Sequence, residues 1–105
     1  MLGCAFAIDR RFFLEELGGY DEGLQIWNGE NYELSFKLWM CADGLFTVPC
    51  SRVVHSFRQI NPSRKRNDDY VAQNFMRISE VWLDEFKNLP KQLEPNRYAN
   101  IDPAW

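Results

Sequence analysis

Cysteine, histidine and long apolar runs are scarce in this chain of 105 residues, and each scarcity removes a class of protein. Three cysteines, Cys4, Cys41 and Cys50, form no CxxC pair and leave at least one unpaired within the chain, which excludes a zinc ribbon and a self-contained disulfide framework. His55 is the sole histidine, so no metal site can be built from histidines alone. The apolar run at 4–8 meets Asp9, Arg10 and Arg11 at once. It lacks the basic front and apolar length of a signal peptide, and nothing approaches the ~20 residues of a membrane span. No serine lies in a GxSxG elbow and no cysteine is close in sequence to His55, which leaves nucleophilic hydrolase chemistry without support.

Acid is also absent over one long stretch. From Gly44 to Asn67 there is no Asp or Glu, while Arg52, Arg58, Arg64, Lys65 and Arg66 gather there; the chain as a whole carries −3. That stretch is either a solvated basic loop or an anion site. Five cations beside one histidine suit a phosphate better than a nucleic acid, which needs a broader basic surface. What is plentiful is ring surface: aromatics make up 15% of the residues. Each ring buries roughly 150–250 Å², so a single small domain has more than it needs, and some rings should face a ligand or a neighbour.

The pattern along the chain reads as α/β. A buried strand at 3–8 leads through Asp9, a helix cap, into a helix at 10–17 with Phe12, Phe13 and Leu17 inward, stopped by Gly18 and Gly19. A loop at 20–28 presents Trp27. From Glu30 a largely buried helix runs to near Gly44, with Leu34, Leu38 and Cys41 on one stripe and Tyr32, Phe36 and Trp39 on the next. Strands follow at 45–48 and 52–57, and a polar loop at 61–67. A long helix capped by Asp68 or Asp69 then places Val71, Phe75, Ile78, Trp82 and Phe86 at helical spacing. Residues 1–88 form the folded segment, and 89–105 read as an extended tail on a partner surface.

Four residues could carry chemistry beside His55. Trp27 precedes a glycine turn that opens a helix on Glu30 and Asn31. A carboxylate there is explained equally by the helix macrodipole, worth about 0.3–1 kcal/mol. A ring beside a carboxylate and an amide is also what a sugar site needs, the ring covering an apolar sugar face while the polar pair bonds hydroxyls. His55 is either a structural strand residue or, with Arg58 three positions on, part of a metal and diphosphate site.

Five blocks in order resemble a known family: Gly3-Cys-Ala-Phe-Ala-Ile-Asp-Arg10, Tyr20-Asp21, Trp27-Asn-Gly-Glu-Asn-Tyr-Glu-Leu-Ser-Phe-Lys-Leu-Trp-Met-Cys41, Val48-Pro-Cys-Ser-Arg-Val-Val-His-Ser-Phe-Arg58 and Glu80-Val-Trp-Leu-Asp-Glu-Phe-Lys87. They look like the C-terminal part of the catalytic domain of polypeptide N-acetylgalactosaminyltransferases. The resemblance implies an incomplete part of a GT-A, Rossmann-like glycosyltransferase domain. The parent would be a type II membrane protein of the Golgi lumen that moves GalNAc from UDP-GalNAc to Ser or Thr of a polypeptide, with retention and with Mn²⁺. It implies His55 as a metal ligand, Arg58 at the diphosphate, Glu30 and Asn31 as catalytic residues, Trp27 over the donor, and Gly3 and Cys4 beside the sugar. Cys41 and Cys50 would bridge to residues outside the chain, as an oxidising lumen permits. Alone, the segment would be inactive.

The sequence departs from the family at Asn28 and Val54, which replace glycines, at Ala42 and Asp43, which replace a glycine pair, and in the loop after Arg58; the family's DxH metal motif is absent. These departures motivate an alternative, a non-catalytic pseudoenzyme or binding fragment of the same fold. A β1,4-galactosyltransferase is a further alternative, weakened by Asn31 and Tyr32 where that class has acids.

Overall fold

The computed structural model describes residues 5–56 and 69–101. The readings placed on Gly3, Cys4, Phe57, Arg58, the polar loop at 61–67 and Trp105 lie outside them.

Helix α1 spans Glu30–Cys41 and helix α2 spans Tyr70–Trp82; two short helices follow, α3 at Leu89–Leu93 and α4 at Pro95–Tyr98. Before them, Phe12–Glu16 winds as a π-helical turn. Asp9 caps that turn as its sequence position predicts, its Oδ1 accepting from the Phe12 amide at 2.8 Å. Gly18 and Gly19 end it at φ 72° and 66°. In that region glycine has no steric cost. The turn is wider than the expected α-helix because the Leu17 amide reaches back to the Phe12 carbonyl, at 3.0 Å, five residues rather than four.

Leu17, Leu34 and Leu38 form one small core, flanked by Ile8, Phe12, Phe13, Ala42 and Leu45. Each leucine contributes about 1.5–3 kcal/mol of burial. Ala72, Met76 and Tyr98 form a second core with Phe75 and Ile101. The two helices that carry these cores meet through rings: Tyr32 on Phe75 edge to face at 5.4 Å, and Phe36 stacked on Trp82 at 6.2 Å. The aromatic stripe of α1 is thus divided, because Trp39, one turn beyond Phe36, is 64% exposed.

The rest of the pattern departs in three ways. No strand forms among the described residues: 5–9, 45–48 and 51–56 carry no ladder. An extended run becomes a strand only when a neighbour takes its backbone hydrogen bonds, so the α/β expectation is not met here by paired chain. Phe46 at 85% and Val54 at 95% exposure show how little covers these stretches. The second departure is the buried face of α2, which is Ala72, Asn74, Met76, Ile78 and Ser79; of the expected positions only Ile78 is fully buried, and Phe86 lies beyond the helix, exposed. Third, 89–98 is not extended but forms α3 and α4. Prolines stand in the first turn of both, where a missing N–H costs nothing. Tyr98 then docks on Ala72 and Met76, and Arg97 bonds Asp69, the cap of α2.

Candidate functional site

The loop leading into α1 is fixed from both helices. From α1, both oxygens of the buried Glu33 accept from the Asp21 amide at 3.1 Å, while Lys37 pairs with Glu33 at 2.6 Å and donates to the Gly19 carbonyl at 2.8 Å. From α2, Arg77 holds the Asp21 carboxylate with two nitrogens, Nη2 to Oδ1 at 2.8 Å. Asp21 Oδ1 also accepts from the Gly23 amide at 2.8 Å. The guanidinium bonds, outweighing partial burial, hold the Asp21 carboxyl below its ordinary range. Tyr20 moves the other way: burial, then the negative charges of Glu30 and Glu33, raise its hydroxyl, so the phenol stays a donor at neutral pH.

Between Gln25 and Glu30 the backbone is unusual. Ile26, Asn28 and Gly29 all have positive φ, at 51°, 72° and 116°, and the Trp27 amide closes on the Gln25 carbonyl at 2.6 Å. A β-branched residue in that region costs of order 1–3 kcal/mol. Asn74 of α2 meets that cost. Its Oδ1 accepts from the Gln25 amide at 2.8 Å, and its Nδ2 faces the carbonyls of Gln25, Asn28 and Trp27 at 2.8, 2.6 and 3.3 Å. At about 1 kcal/mol for each good bond, these contacts are comparable to the strain.

The clamp delivers Trp27, 60% exposed, beside the half-buried first turn of α1. There Asn31 Nδ2 donates to Glu30 Oε1 at 3.3 Å. The sequence-derived trio Trp27, Glu30 and Asn31 thus lies along one turn and the helix start that follows it: an exposed ring, a carboxylate with acceptor capacity, and an amide. Such a set covers the apolar face of a sugar and bonds its hydroxyls. Asn28 sits at φ 72°, in the left-handed region that asparagine tolerates better than most side chains.

His55 lies on a different stretch, the exposed chain at 51–56. Among the described residues no three His, Cys, Asp or Glu side chains gather as a metal set, so those residues do not by themselves make a metal centre. Cys41 and Cys50 are exposed free thiols. An open groove of about 1150 Å³, lined by 5–8, the end of α1 and 42–48, carries none of Trp27, Glu30, Asn31 or His55 in its lining. Sequence reasoning missed Asn74, Glu33 and Arg77. Only the Asn74 position, polar within an otherwise apolar face, carried a signal.

No family model matches the chain, and no solved structure matches it. Curated relatives do. It is 49% identical over 106 residues, 99% of its length, to N-acetylgalactosaminyltransferase 6 of Drosophila melanogaster. It is 47% identical over 90% of its length to polypeptide N-acetylgalactosaminyltransferase 10 of Homo sapiens, and 52% identical over 85% to polypeptide N-acetylgalactosaminyltransferase 5 of Rattus norvegicus. The chain spans 16% of the length of the first two and 10% of the third. Identity of about 47–52% along most of its residues makes this chain a member, over the segment it spans, of the polypeptide N-acetylgalactosaminyltransferase family.

Proposed function

We propose that the chain supplies the donor-sugar part of a transferase that moves GalNAc from UDP-GalNAc to Ser or Thr of a polypeptide. The observation that carries this reading is the exposed Trp27 ring on a strained turn that Asn74 clamps and that leads directly into Glu30 and Asn31 at the start of α1, in a chain whose relatives bear that name. In this reading Trp27 covers the apolar face of the sugar, and Glu30 and Asn31 bond its hydroxyls and orient the anomeric carbon for transfer with retention. Gly3 and Cys4 offer backbone beside the sugar, and Arg58 faces the diphosphate, where positive charge stabilises the departing UDP.

Mn²⁺, when bound, supplies further positive charge at the diphosphate. His55 gives one ligand, and the remaining donors come from elsewhere in the parent. The extended stretches at 5–9, 45–48 and 51–56 acquire strand partners there, completing an α/β, GT-A-type domain, and Cys41 and Cys50 form disulfides with residues outside the segment. The parent works in the Golgi lumen as a type II membrane protein; among the described residues no helix is long and apolar enough to cross a membrane. The isolated segment is inactive.

The test is transfer from UDP-GalNAc to a panel of Ser/Thr peptides by the full-length protein, with and without Mn²⁺. Transfer that requires Mn²⁺ and is abolished by His55→Ala supports the reading. Binding of UDP with no transfer to any peptide replaces it with the pseudoenzyme reading. Retained activity in His55→Ala removes the metal assignment.

A further inference from the structure

We propose that Asn74 is a positioning residue for the donor sugar, an inference that rests on the transferase reading and extends it to a residue in the middle of α2. Asn74 is 2% exposed, and its side chain satisfies the main chain of the Trp27 turn rather than another core group. It bonds the Gln25 amide and the carbonyls of residues 25, 27 and 28, across 46 to 49 residues of sequence. Next to it, Gln73 Oε1 accepts from Gln25 Nε2 at 3.0 Å. The turn also lies tightly on the helix: a Cβ on Gly29 would stand 3.1 Å from Asn74 Cβ and 2.9 Å from Ile78 Cδ1.

These contacts flank Trp27, whose ring is exposed. Two donor hydrogens and one acceptor on a side chain of this length match one amide and two close carbonyls, the third carbonyl being a longer contact. Ile26, Asn28 and Gly29 occupy positive φ because Asn74 makes that one conformation the best bonded. Without it, the turn relaxes to other conformations, and the Trp27 ring and the first turn of α1 lose their common register. Misplacement of about 1 Å in a positioning element costs roughly a hundredfold in rate. Nucleotide binding, assigned to His55 and Arg58 on another stretch, is independent of this clamp.

The experiment uses the full-length transferase with Asn74→Ala and the nearly isosteric Asn74→Asp, which keeps the acceptor for the Gln25 amide but sets a carboxylate against three carbonyls. For both, kcat for transfer to a Ser/Thr peptide falls at least about tenfold and the KM for UDP-GalNAc rises. Affinity for UDP itself stays within about twofold of the unsubstituted enzyme. Trp27→Ala combined with Asn74→Asp is no slower than Trp27→Ala alone, because Asn74 acts through Trp27. Unchanged kcat in Asn74→Asp, or loss of UDP affinity in proportion to kcat, overturns the positioning role while leaving the transferase reading intact. Absence of transfer by the unsubstituted enzyme overturns the transferase reading, and this inference with it.

Discussion

Gly23→Ala is predicted to loosen the start of the site loop without straining its own backbone. Gly23 does not occupy positive φ, so alanine fits the main chain; its new Cβ would overlap the Arg77 guanidinium. Arg77 must then leave Asp21, whose carboxylate loses both guanidinium bonds. Hydrogen bonds to charged groups contribute about 1.5–3 kcal/mol. The two side chains are 17% and 25% exposed, so partial screening places the loss near the lower end, about 1.5–2 kcal/mol. At about 1.36 kcal/mol per decade, that corresponds to roughly tenfold to thirtyfold faster exchange of the amide that depends on the pair. The Gly23 amide, bonded to Asp21 Oδ1, is that reporter, and amide hydrogen exchange on the full-length protein is the assay. The Gln25 amide, bonded to Asn74 instead, serves as the internal control and stays protected. Gly23→Ala with Arg77→Ala should match Arg77→Ala alone, since the collision vanishes with the guanidinium. Independent, multiplying effects of the two substitutions would refute the reasoning, as would equal acceleration at Gln25.

Other consequences are equally direct. Gly29→Ala forces a side chain into positive φ and against Ile78 and Asn74; a cost of about 1–3 kcal/mol from the backbone alone should appear as a lower melting temperature together with at least tenfold weaker transfer. Glu33→Ala strands Lys37, whose side chain is 14% exposed, and should cost about 3 kcal/mol in thermal unfolding, whereas Lys37→Met should cost less. Trp27→Ala should leave stability within about 0.5 kcal/mol, because the ring is exposed, yet lower kcat/KM for UDP-GalNAc; a matching fall in stability would mean that the ring belongs to the fold. Asp21 titrates below its ordinary range, so its contribution is whole above the ordinary carboxylate value and fades as pH falls through the lower folded value. Protection of the Gly23 amide, corrected for intrinsic exchange, should vanish over that acid window and not near neutrality.

Local chemistry was legible where a residue acts on its own neighbours. Asp9 and Asp69 cap helix starts, Gly18 and Gly19 end a turn, and Trp27, Glu30 and Asn31 share one corner because the chain places them within five residues. The missed features depend on distant chain. Asn74 shows in the sequence only as a polar position on the apolar face of a helix, and nothing near it names its partners, which lie almost half the sequence away. The apolar stretches at 45–48 and 52–57 have strand composition, but composition supplies no partner for a backbone amide. Pro90 and Pro95 stand in a stretch read as an extended tail, whereas in a first turn proline is a helix starter.

The distance between Asn74 and the turn it holds has a meaning in time. During synthesis, the turn at 25–28 emerges 46 to 49 residues before its clamp. At about 5–20 residues per second, the turn waits roughly 2–10 s without the Asn74 bonds. The corner that would grip the sugar therefore takes its shape only once α2 has emerged. A growing chain stopped before residue 74 carries every residue of the Trp27, Glu30 and Asn31 trio and none of the Asn74 contacts that set their arrangement.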